Sequence, residues 1–177
     1  MMRGLQRLKG GGTLPPRPLL KQVLAAWFGG LLAIAAMGGL TEWTATPWLM
    51  APFGATAVIV FGLPDSPLAQ PRNVIFGHLL STVIGLVALK LAGPHWWSMA
   101  MAVATAIAVM QVSRTVHPPA GANPLVVMLG GADWGFLVSP VLIGTLVMVA
   151  VALASNNVLA GRRYPLYWGL PNWRAGS

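Results

Sequence analysis

The sequence contains no cysteine and very few acidic residues. Of its 177 residues, 3 are Asp or Glu, 11 are Lys or Arg, and none is Cys. The absence of cysteine excludes disulfides, thiolate metal sites and cysteine nucleophiles. The three acidic residues are scattered near the ends of apolar runs, which argues against a metal-dependent enzyme, and no serine, histidine and acid are spaced as in a hydrolase. We therefore expect no catalytic residue, no bound metal and no cofactor.

Charge of either sign is scarce, and apolar residues are abundant. Charged residues make up 8% of the chain and hydrophobic residues 56%, with a mean hydropathy of +0.70. A soluble domain needs roughly a quarter of its residues charged to cover its surface. A chain of this composition would expose apolar surface on every side in water, so the sequence predicts an all-α integral membrane protein with the lipid bilayer as its solvent.

Most of the basic residues lie at the two ends of the chain. Cations that flank apolar spans mark the cytoplasmic side of a membrane protein, and this placement argues against a nucleic-acid partner. We predict a basic cytoplasmic leader at 1–21, one transmembrane domain at 22–157 and a basic cytoplasmic tail at 158–177, most simply in a bacterial inner (plasma) membrane. The basic residues concerned are Arg3, Arg7, Lys9, Arg17, Lys21, Arg162, Arg163 and Arg174.

Long and short apolar runs alternate along the chain. A transmembrane helix needs about 20 residues. Four runs approach that length, at Gln22–Leu40, Val74–Leu91, Trp96–Val112 and Phe136–Ala154. Two shorter runs that contain proline and glycine lie between them, at Trp48–Gly62 and His117–Gly130. The order is long, short, long, and then again long, short, long.

A shift of 67 residues superimposes the second half of this pattern on the first. The clearest matches are a Pro-x-Gly-Ala motif followed by a small polar residue, and one glycine in the next long run. The pairs are Pro52 with Pro119, Gly54 with Gly121, Ala55 with Ala122, Thr56 with Asn123, and Gly77 with Gly144. Matches between valines and leucines carry little weight in a membrane chain, but these pairs in one register indicate an internal repeat.

Two topologies are compatible with this repeat. If each unit crosses the membrane three times, the chain forms two inverted repeats, at about 22–91 and 92–157, with broken second and fifth segments. If each unit crosses twice, the chain forms four transmembrane helices plus two re-entrant half-helices. Both arrangements keep most lysines and arginines on the cytoplasmic side, and the charge count favours the first only slightly.

The two broken segments are the predicted site. The first amides of a helix have no intrahelical partner and favour an anion. We expect each half-helix to begin just after its prolines, with residues 48–54 extended and 55–62 helical in the first. Gly54 and Gly121 would let a ligand reach the backbone, and Thr56 and Asn123 would add polar atoms. The predicted substrate-binding residues are Pro52, Gly54, Ala55, Thr56, His117, Pro118, Pro119, Gly121, Ala122 and Asn123. The alternative is that proline and glycine only permit kinks and close helix packing.

The stretch VHPPAGANPL at 116–125 resembles the signature of the HPP family, membrane proteins named for a His-Pro-Pro motif. The similarity extends from MAPFGA at 50–55 through the last long run. Members are usually described as four-helix membrane proteins, and plant members act in nitrite transport at the chloroplast envelope. The resemblance implies a transporter or channel for a small anion, with His117, Pro118 and Pro119 as motif residues.

Three further residues have both a functional and a structural interpretation. His117 can contact a proton or an anion, or it can hold a carbonyl beside the prolines. His78 lies inside a long apolar run, where an ionisable residue is a functional candidate by default. Arg114 can attract anions or simply mark the cytoplasmic face. Gly77, Ser81 and Gly85 form a ridge of small residues at four-residue spacing, which predicts close helix packing.

The sequence thus favours transport of a small inorganic anion, with nitrite as the first candidate and a homo-oligomer as the expected assembly. Because the identity of the anion rests on the resemblance, nitrate, formate, bicarbonate and a neutral solute stay open. The main alternative is a non-transporting membrane scaffold or assembly subunit.

Overall fold

The structure is a computed structural model that describes residues 12–169, and within that range it is helical with no strand. The part of the leader at 1–11 and the part of the tail at 170–177 lie outside the described residues. The six α-helices are α1 (Leu20–Thr44), α2 (Ala51–Gly62), α3 (Pro71–Ala92), α4 (Trp96–Val112), α5 (Asn123–Gly130) and α6 (Ile143–Ala154).

Shorter helical turns complete the chain. A 3-10 turn at Pro67–Ala69 precedes α3, and a 3-10 segment at Pro118–Ala122 leads into α5. Leu137–Leu142 and Ser155–Leu159 are π-helical and extend α6 at its two ends. Together these segments extend over Leu137–Leu159, with a kink at Ser139, whose φ of −128° and ψ of 112° are not helical.

Among residues 12–169, three helical stretches are long and apolar enough to cross a membrane: Leu20–Thr44, Pro71–Ala92 and Leu137–Leu159. They correspond to three of the four predicted long runs. The fourth run is α4, whose 17 residues cover about 26 Å at 1.5 Å per residue, slightly less than a bilayer core of about 30 Å. Helices of this composition and length confirm the prediction of an integral membrane protein.

The two broken segments become helical earlier than expected. α2 begins at Ala51 and holds Pro52 in its first turn, so the prediction of an extended chain through residue 54 is wrong. Proline is well tolerated there because the first helical amides have no intrahelical partner to lose. In the second segment the 3-10 turn starts at Pro118, directly after His117, and α5 follows without a break.

The described part of the tail packs against the loop that joins α2 and α3. The Tyr164 hydroxyl donates to the Ala69 carbonyl at 2.8 Å, and the Leu166 amide donates to the Gln70 side chain at 2.7 Å. Burial raises the pKa of the Tyr164 phenol, so the group stays a donor. Arg72, at the start of α3, donates to the Arg114 carbonyl at 2.6 Å. We call this side of the bundle the tail end.

The segment at 115–130 runs beside α3 in the same direction. Gly77 adjoins His117, the Ser81 hydroxyl donates to the Ala120 carbonyl at 2.5 Å, and Gly85 adjoins Pro124. The predicted ridge of small residues is confirmed as a packing surface, and its partner is the 3-10 segment together with α5. Beyond α5, residues 130–133 line a groove with Thr46 and Pro47, which follow the last residue of α1.

This close approach predicts that Gly85→Ala destabilises the fold. A Cβ at residue 85 would lie 2.7 Å from the Pro124 Cα, a backbone atom that cannot rotate away. Overpacking of this kind costs about 1–3 kcal/mol. Thermal unfolding of the detergent-solubilised protein should show a lower midpoint for Gly85→Ala.

The matched control is Gly39→Ala in α1, where a Cβ would meet nothing within 4 Å. Alanine in an open helical position should leave the midpoint unchanged or raise it. Equal midpoints for Gly85→Ala and Gly39→Ala would contradict the packing of α5 on α3.

Candidate functional site

Four polar side chains meet in the apolar interior of the bundle. Each is at most 1% exposed. They come from α2, α3, the residue before the 3-10 segment and the first residue of α5. The four residues, which we call the polar cluster, are Thr56, His78, His117 and Asn123.

The hydroxyl of Thr56 lies at the centre of the polar cluster. Its Oγ1 atom is 2.8 Å from His78 Nε2 and 2.9 Å from His117 Nε2. The same atom lies 2.9 Å from the carbonyl oxygen of Pro52, one turn earlier in α2. One hydroxyl therefore connects three elements of the bundle that are far apart in the sequence.

Asn123 connects the polar cluster to α3 by three contacts. Its Oδ1 atom is 3.1 Å from His78 Nδ1. Its Nδ2 atom donates to the His78 carbonyl at 3.1 Å and to the Thr82 hydroxyl at 2.8 Å. The start of α5 is thus fixed to the middle of α3 through a single amide side chain.

The two imidazole rings are held from outside the polar cluster as well. His117 Nδ1 lies 2.8 Å from the carbonyl oxygen of Leu68, in the 3-10 turn before α3. The centroids of the His78 and His117 rings are 5.1 Å apart, and the edge of the Phe53 ring faces His78 at 5.3 Å. His117 therefore has both of the features weighed from the sequence, a structural bond to a carbonyl and a second nitrogen directed at other polar groups.

Glycine at position 77 is what lets His117 approach α3. A Cβ at residue 77 would lie 2.9 Å from the His117 Cβ and 3.0 Å from the Thr115 carbonyl oxygen. Any other residue at this position would push the 3-10 segment away from α3. The small-residue ridge thus positions the polar cluster in addition to packing the helices.

Five of the seven remaining predicted site residues line an apolar groove, and the other two, Gly54 and Gly121, each adjoin a lining residue in the sequence. The groove lies between α2 and the 3-10 segment and has a volume of about 580 Å³. A Cβ added at Gly54 or at Gly121 would meet nothing within 4 Å, so both glycines border open space. The residues that line the groove are Ala51, Pro52, Ala55, Val58, Ile59, Pro118, Pro119 and Ala122.

The backbone amides at the two helix starts are less available than expected. The Gly54 amide donates to the Met50 carbonyl at 3.4 Å, and the Phe53 amide donates to the same oxygen at 2.9 Å. The Ala120 amide donates to the His117 carbonyl at 3.0 Å. Proline has no amide hydrogen, so Pro118 and Pro119 contribute none. The expectation that the Gly54 amide is free for a ligand is therefore wrong.

Arg114 lies apart from the polar cluster, at the tail end. It has a positive φ of 56° at the turn that follows α4, and its carbonyl accepts from Arg72. Both arginines line a cavity of about 340 Å³. Val116, which precedes His117 in the sequence, and Leu68, whose carbonyl contacts His117, line the same cavity. The arrangement places two cations near one approach to the polar cluster.

Two participants were not predicted from the sequence. Thr82 accepts from Asn123, and the Leu68 carbonyl holds His117. Thr82 could have been found, because it lies four residues after His78 and so on the same face of a helix. A backbone carbonyl leaves no signal in the sequence.

The fold and the cluster define the class of this protein: an integral membrane protein whose apolar helices enclose a buried polar site. Comparison with known proteins then gives the family. The family model described as HPP, transmembrane region, matches residues 15–165, which is most of the chain. The protein therefore belongs to the HPP family of transmembrane proteins, as the resemblance at 116–125 indicated.

Two relatives from Dictyostelium discoideum agree with this assignment. One transmembrane protein is 40% identical over 166 residues, which covers 87% of this chain and 58% of the relative. Another transmembrane protein is 37% identical over 175 residues, which covers 92% of this chain and 56% of the relative. The chain thus spans little more than half the length of these relatives. No solved structure matches the chain.

Proposed function

We propose that this protein is a membrane transporter or channel for a small inorganic anion, with nitrite as the first candidate. The observation that carries the proposal is the polar cluster, which is enclosed by apolar helices at the place where the two related short segments meet. Polar and ionisable groups are costly inside a bilayer and mark solute pathways there. Corresponding Pro/Gly-interrupted segments are also the best sequence indication of a transport site.

The chemistry of the cluster suits an oxyanion. Hydroxyl, amide and imidazole groups can all donate hydrogen bonds, and no acidic side chain among the described residues hydrogen-bonds to either ring. The proposed approach is along the groove, where Gly54 and Gly121 leave room beside the backbone. Since several of the nearby amides are occupied, the side chains of the cluster would supply most of the donors. Nitrite itself comes from what the family resemblance implies.

We also propose that the helices form two inverted repeats with six crossings. A twofold relation between the repeats requires that contacts recur with the halves exchanged. A Cβ added at Gly77 would lie 3.6 Å from the Ala120 Cβ, and a Cβ added at Gly144 would meet the ring of Phe53. A shift of 67 residues converts Gly77 into Gly144 and Phe53 into Ala120, so each contact is the image of the other. These paired contacts support a twofold relation between the two repeats.

The ends of the second broken segment support the same topology. At its start, Arg114 is bonded to Arg72 at the tail end, and at its finish residues 130–133 share a groove with Thr46 and Pro47. Thr46 and Pro47 lie beyond the last residue of α1, whereas Gly161, in the tail, adjoins Lys21 in the first turn of α1. A segment that begins beside one end of α1 and finishes beside the other supports a crossing of the bundle over a re-entrant path.

This topology predicts opposite sides for Asp65 and Asp133. Both residues are exposed, and each follows one of the short segments. Because the chain has no cysteine, Asp65→Cys and Asp133→Cys each create a single reactive thiol. In oriented membrane vesicles, an impermeant thiol reagent should label only one of the two variants from the outside, and lysis should expose the other. Six crossings place the two thiols on opposite faces, whereas two re-entrant half-helices place both on the same face. Labelling of both from one side would exclude the inverted repeat.

The alternative function is a non-transporting membrane scaffold or assembly subunit. The observation in its favour is that the groove is apolar and open on the face of the chain, which suits a partner helix. A homo-oligomer in a bacterial inner membrane, with both termini in the cytoplasm, remains part of the proposal under either function. A scaffold would not require a polar cluster in its interior, and that difference favours transport.

Nitrite uptake into liposomes that contain the purified protein tests the proposed function. Nitrate, formate and bicarbonate serve as competitors, and protein-free liposomes correct for passive entry. Saturable uptake that a competitor reduces would support anion transport and rank the substrates. Uptake equal to that of protein-free liposomes, for nitrite and for all competitors, would leave the scaffold as the better interpretation.

A further inference from the structure

The two buried histidines share one hydroxyl group. His78 Nε2 and His117 Nε2 lie 2.8 Å and 2.9 Å from Thr56 Oγ1, and neither ring is exposed. Each of these contacts is short enough to need a hydrogen atom between the two heavy atoms. The contacts of the Nδ1 atom of each ring show which ring nitrogens carry hydrogens.

The outer nitrogens of both rings are donors. His117 Nδ1 faces the Leu68 carbonyl, which can only accept, so Nδ1 carries the hydrogen. For His78 the partner is the Asn123 side chain, whose Nδ2 atom is fixed by two acceptors, the His78 carbonyl and the Thr82 hydroxyl. The Asn123 oxygen must then face His78 Nδ1, so that nitrogen also carries its hydrogen.

With both rings neutral, the two ring contacts have at most one hydrogen between them. A neutral imidazole that carries its hydrogen on Nδ1 presents a lone pair at Nε2. Two such lone pairs face Thr56 Oγ1, whose single hydrogen can also be donated to the Pro52 carbonyl at 2.9 Å. Turning the Asn123 amide over would let His78 change tautomer, but it would bring the amide oxygen against the His78 carbonyl oxygen at 3.1 Å. The contact between Asn123 and the His78 carbonyl would then lack a hydrogen instead. One added proton gives each ring contact a hydrogen, because one ring then donates to Thr56, and Thr56 donates to the other ring instead of to the Pro52 carbonyl.

We propose that Thr56, His78 and His117 form a proton-binding relay, in which one proton is held by the ring pair and passes between the rings through the Thr56 hydroxyl. The transfer is balanced: one Nε2–H bond breaks as its proton moves to Oγ1, and the original Oγ1–H proton moves to the other Nε2. No bond between heavy atoms changes. The relay rests on the proposed anion transport, for which it supplies a coupled proton.

The surroundings of the rings explain why the proton would couple to an anion. α2 presents Phe53 and Thr56 to the rings, α5 presents Asn123, and the loop before α3 presents the Leu68 carbonyl. The chain has three acidic residues, and all of them are exposed: Glu42, Asp65 and Asp133. The tail phenols donate to carbonyl oxygens in that loop, and Arg72 and Arg114 line the cavity at the tail end.

A protonated ring pair therefore has no resident counter-ion in the part of the chain that the structure describes. A buried cation without a partner is costly, so binding of a small anion and binding of the proton must favour each other. Anion and proton would cross together without net charge movement. Under this coupling, an inward pH difference of one unit drives about tenfold accumulation of the anion.

Histidine side-chain nitrogen NMR on protein in lipid nanodiscs tests the relay directly. The chain has three histidines, and the third, His95, is exposed in the turn before α4 and serves as an internal reference. Between about pH 8 and pH 5, the range in which imidazoles change charge, the Nε2 signals of His78 and His117 should move together toward the protonated form as one proton binds. Added nitrite should move this transition to higher pH and leave His95 unchanged.

Variants at Thr56 separate the relay from simple protonation of one ring. Thr56→Ser keeps the hydroxyl and should keep the joint movement, whereas Thr56→Val keeps the shape and should abolish it. The relay is overturned if both Nε2 atoms of the folded wild type keep their lone pairs to about pH 5 with nitrite present, or if one ring titrates alone and Thr56→Val changes nothing. Uptake is measured separately, so nitrite transport without a joint transition rejects the relay alone, and a joint transition without any anion uptake rejects the proposed function alone.

Discussion

Gly121→Val is expected to abolish nitrite uptake while the protein remains folded and inserted in the membrane. Gly121 lies in the 3-10 segment next to Ala122, which lines the groove. A Cβ at Gly121 would meet nothing within 4 Å, so the new side chain fills open space and disturbs no packed neighbour. Gly121 is not among the glycines with positive φ, so the backbone tolerates valine as well. Uptake is lost because the branched side chain would occupy the path of the anion along the groove.

Uptake into liposomes of equal protein content measures this effect, and elution profile and thermal midpoint establish that the variant is folded. Gly39→Val, on α1, also adds a valine into open space and should transport like the wild type. A folded Gly121→Val variant that transports at the wild-type rate would show that the anion does not pass the groove.

Asn123→Ala is expected to cause the second large effect, on stability as well as transport. From the sequence alone we expect this change to be milder than Gly121→Val, because it removes one polar side chain and leaves the backbone intact. The structure adds an effect on stability to that expectation. The side chain makes three contacts inside the bundle, to His78 Nδ1, the His78 carbonyl and the Thr82 hydroxyl. Leaving such groups without partners costs about 2–4 kcal/mol in total.

Thermal or denaturant unfolding in detergent measures this cost. Thr82→Val is the matched control, because it removes only one of the three contacts and keeps the volume of the side chain. Asn123→Ala should destabilise the protein at least twice as much as Thr82→Val. Equal stability of Asn123→Ala and the wild type would mean that the amide does not hold α5 against α3.

The class of the fold and the meeting of the two motifs could be predicted because they depend on patterns. Hydrophobic run lengths follow from the thickness of a bilayer, and the 67-residue register brings Thr56 and Asn123 to corresponding positions. The ridge at Gly77, Ser81 and Gly85 follows from helical spacing. The run lengths and the ridge are each contained in a short stretch of sequence, and the repeat appears when two such stretches are compared.

The residues at which the helices begin could be predicted less well, because proline has two opposite effects on a helix. It ends a helix when it falls inside one, and it suits the first turn when the amide is not needed. Pro52 is of the second kind, so α2 begins at Ala51. Because α2 begins there, the Phe53 and Gly54 amides donate to the Met50 carbonyl, and Pro52 has no amide hydrogen. The amides that an anion was expected to reach are therefore occupied or absent.

The sharing of one hydroxyl in the polar cluster could not be predicted from the sequence either. His78 and His117 were separate candidates there, each with a structural alternative, and their common contact with Thr56 depends on three elements packing at once. Apolar surroundings and glycine spacing suggest that helices approach one another, but they do not say which side chains share a hydrogen bond.

The central claim is that the anion occupies the space between the two short segments, and the most direct test is ligand protection of a thiol placed there. Gly121→Cys in this cysteine-free chain introduces a single thiol into open space beside the groove. We expect a small water-soluble thiol reagent to label this residue, and saturating nitrite to slow the labelling, while a thiol at Asp65→Cys reacts at the same rate with and without nitrite. Labelling of Gly121→Cys at an unchanged rate in saturating nitrite, by a protein that takes up nitrite, would contradict the claim.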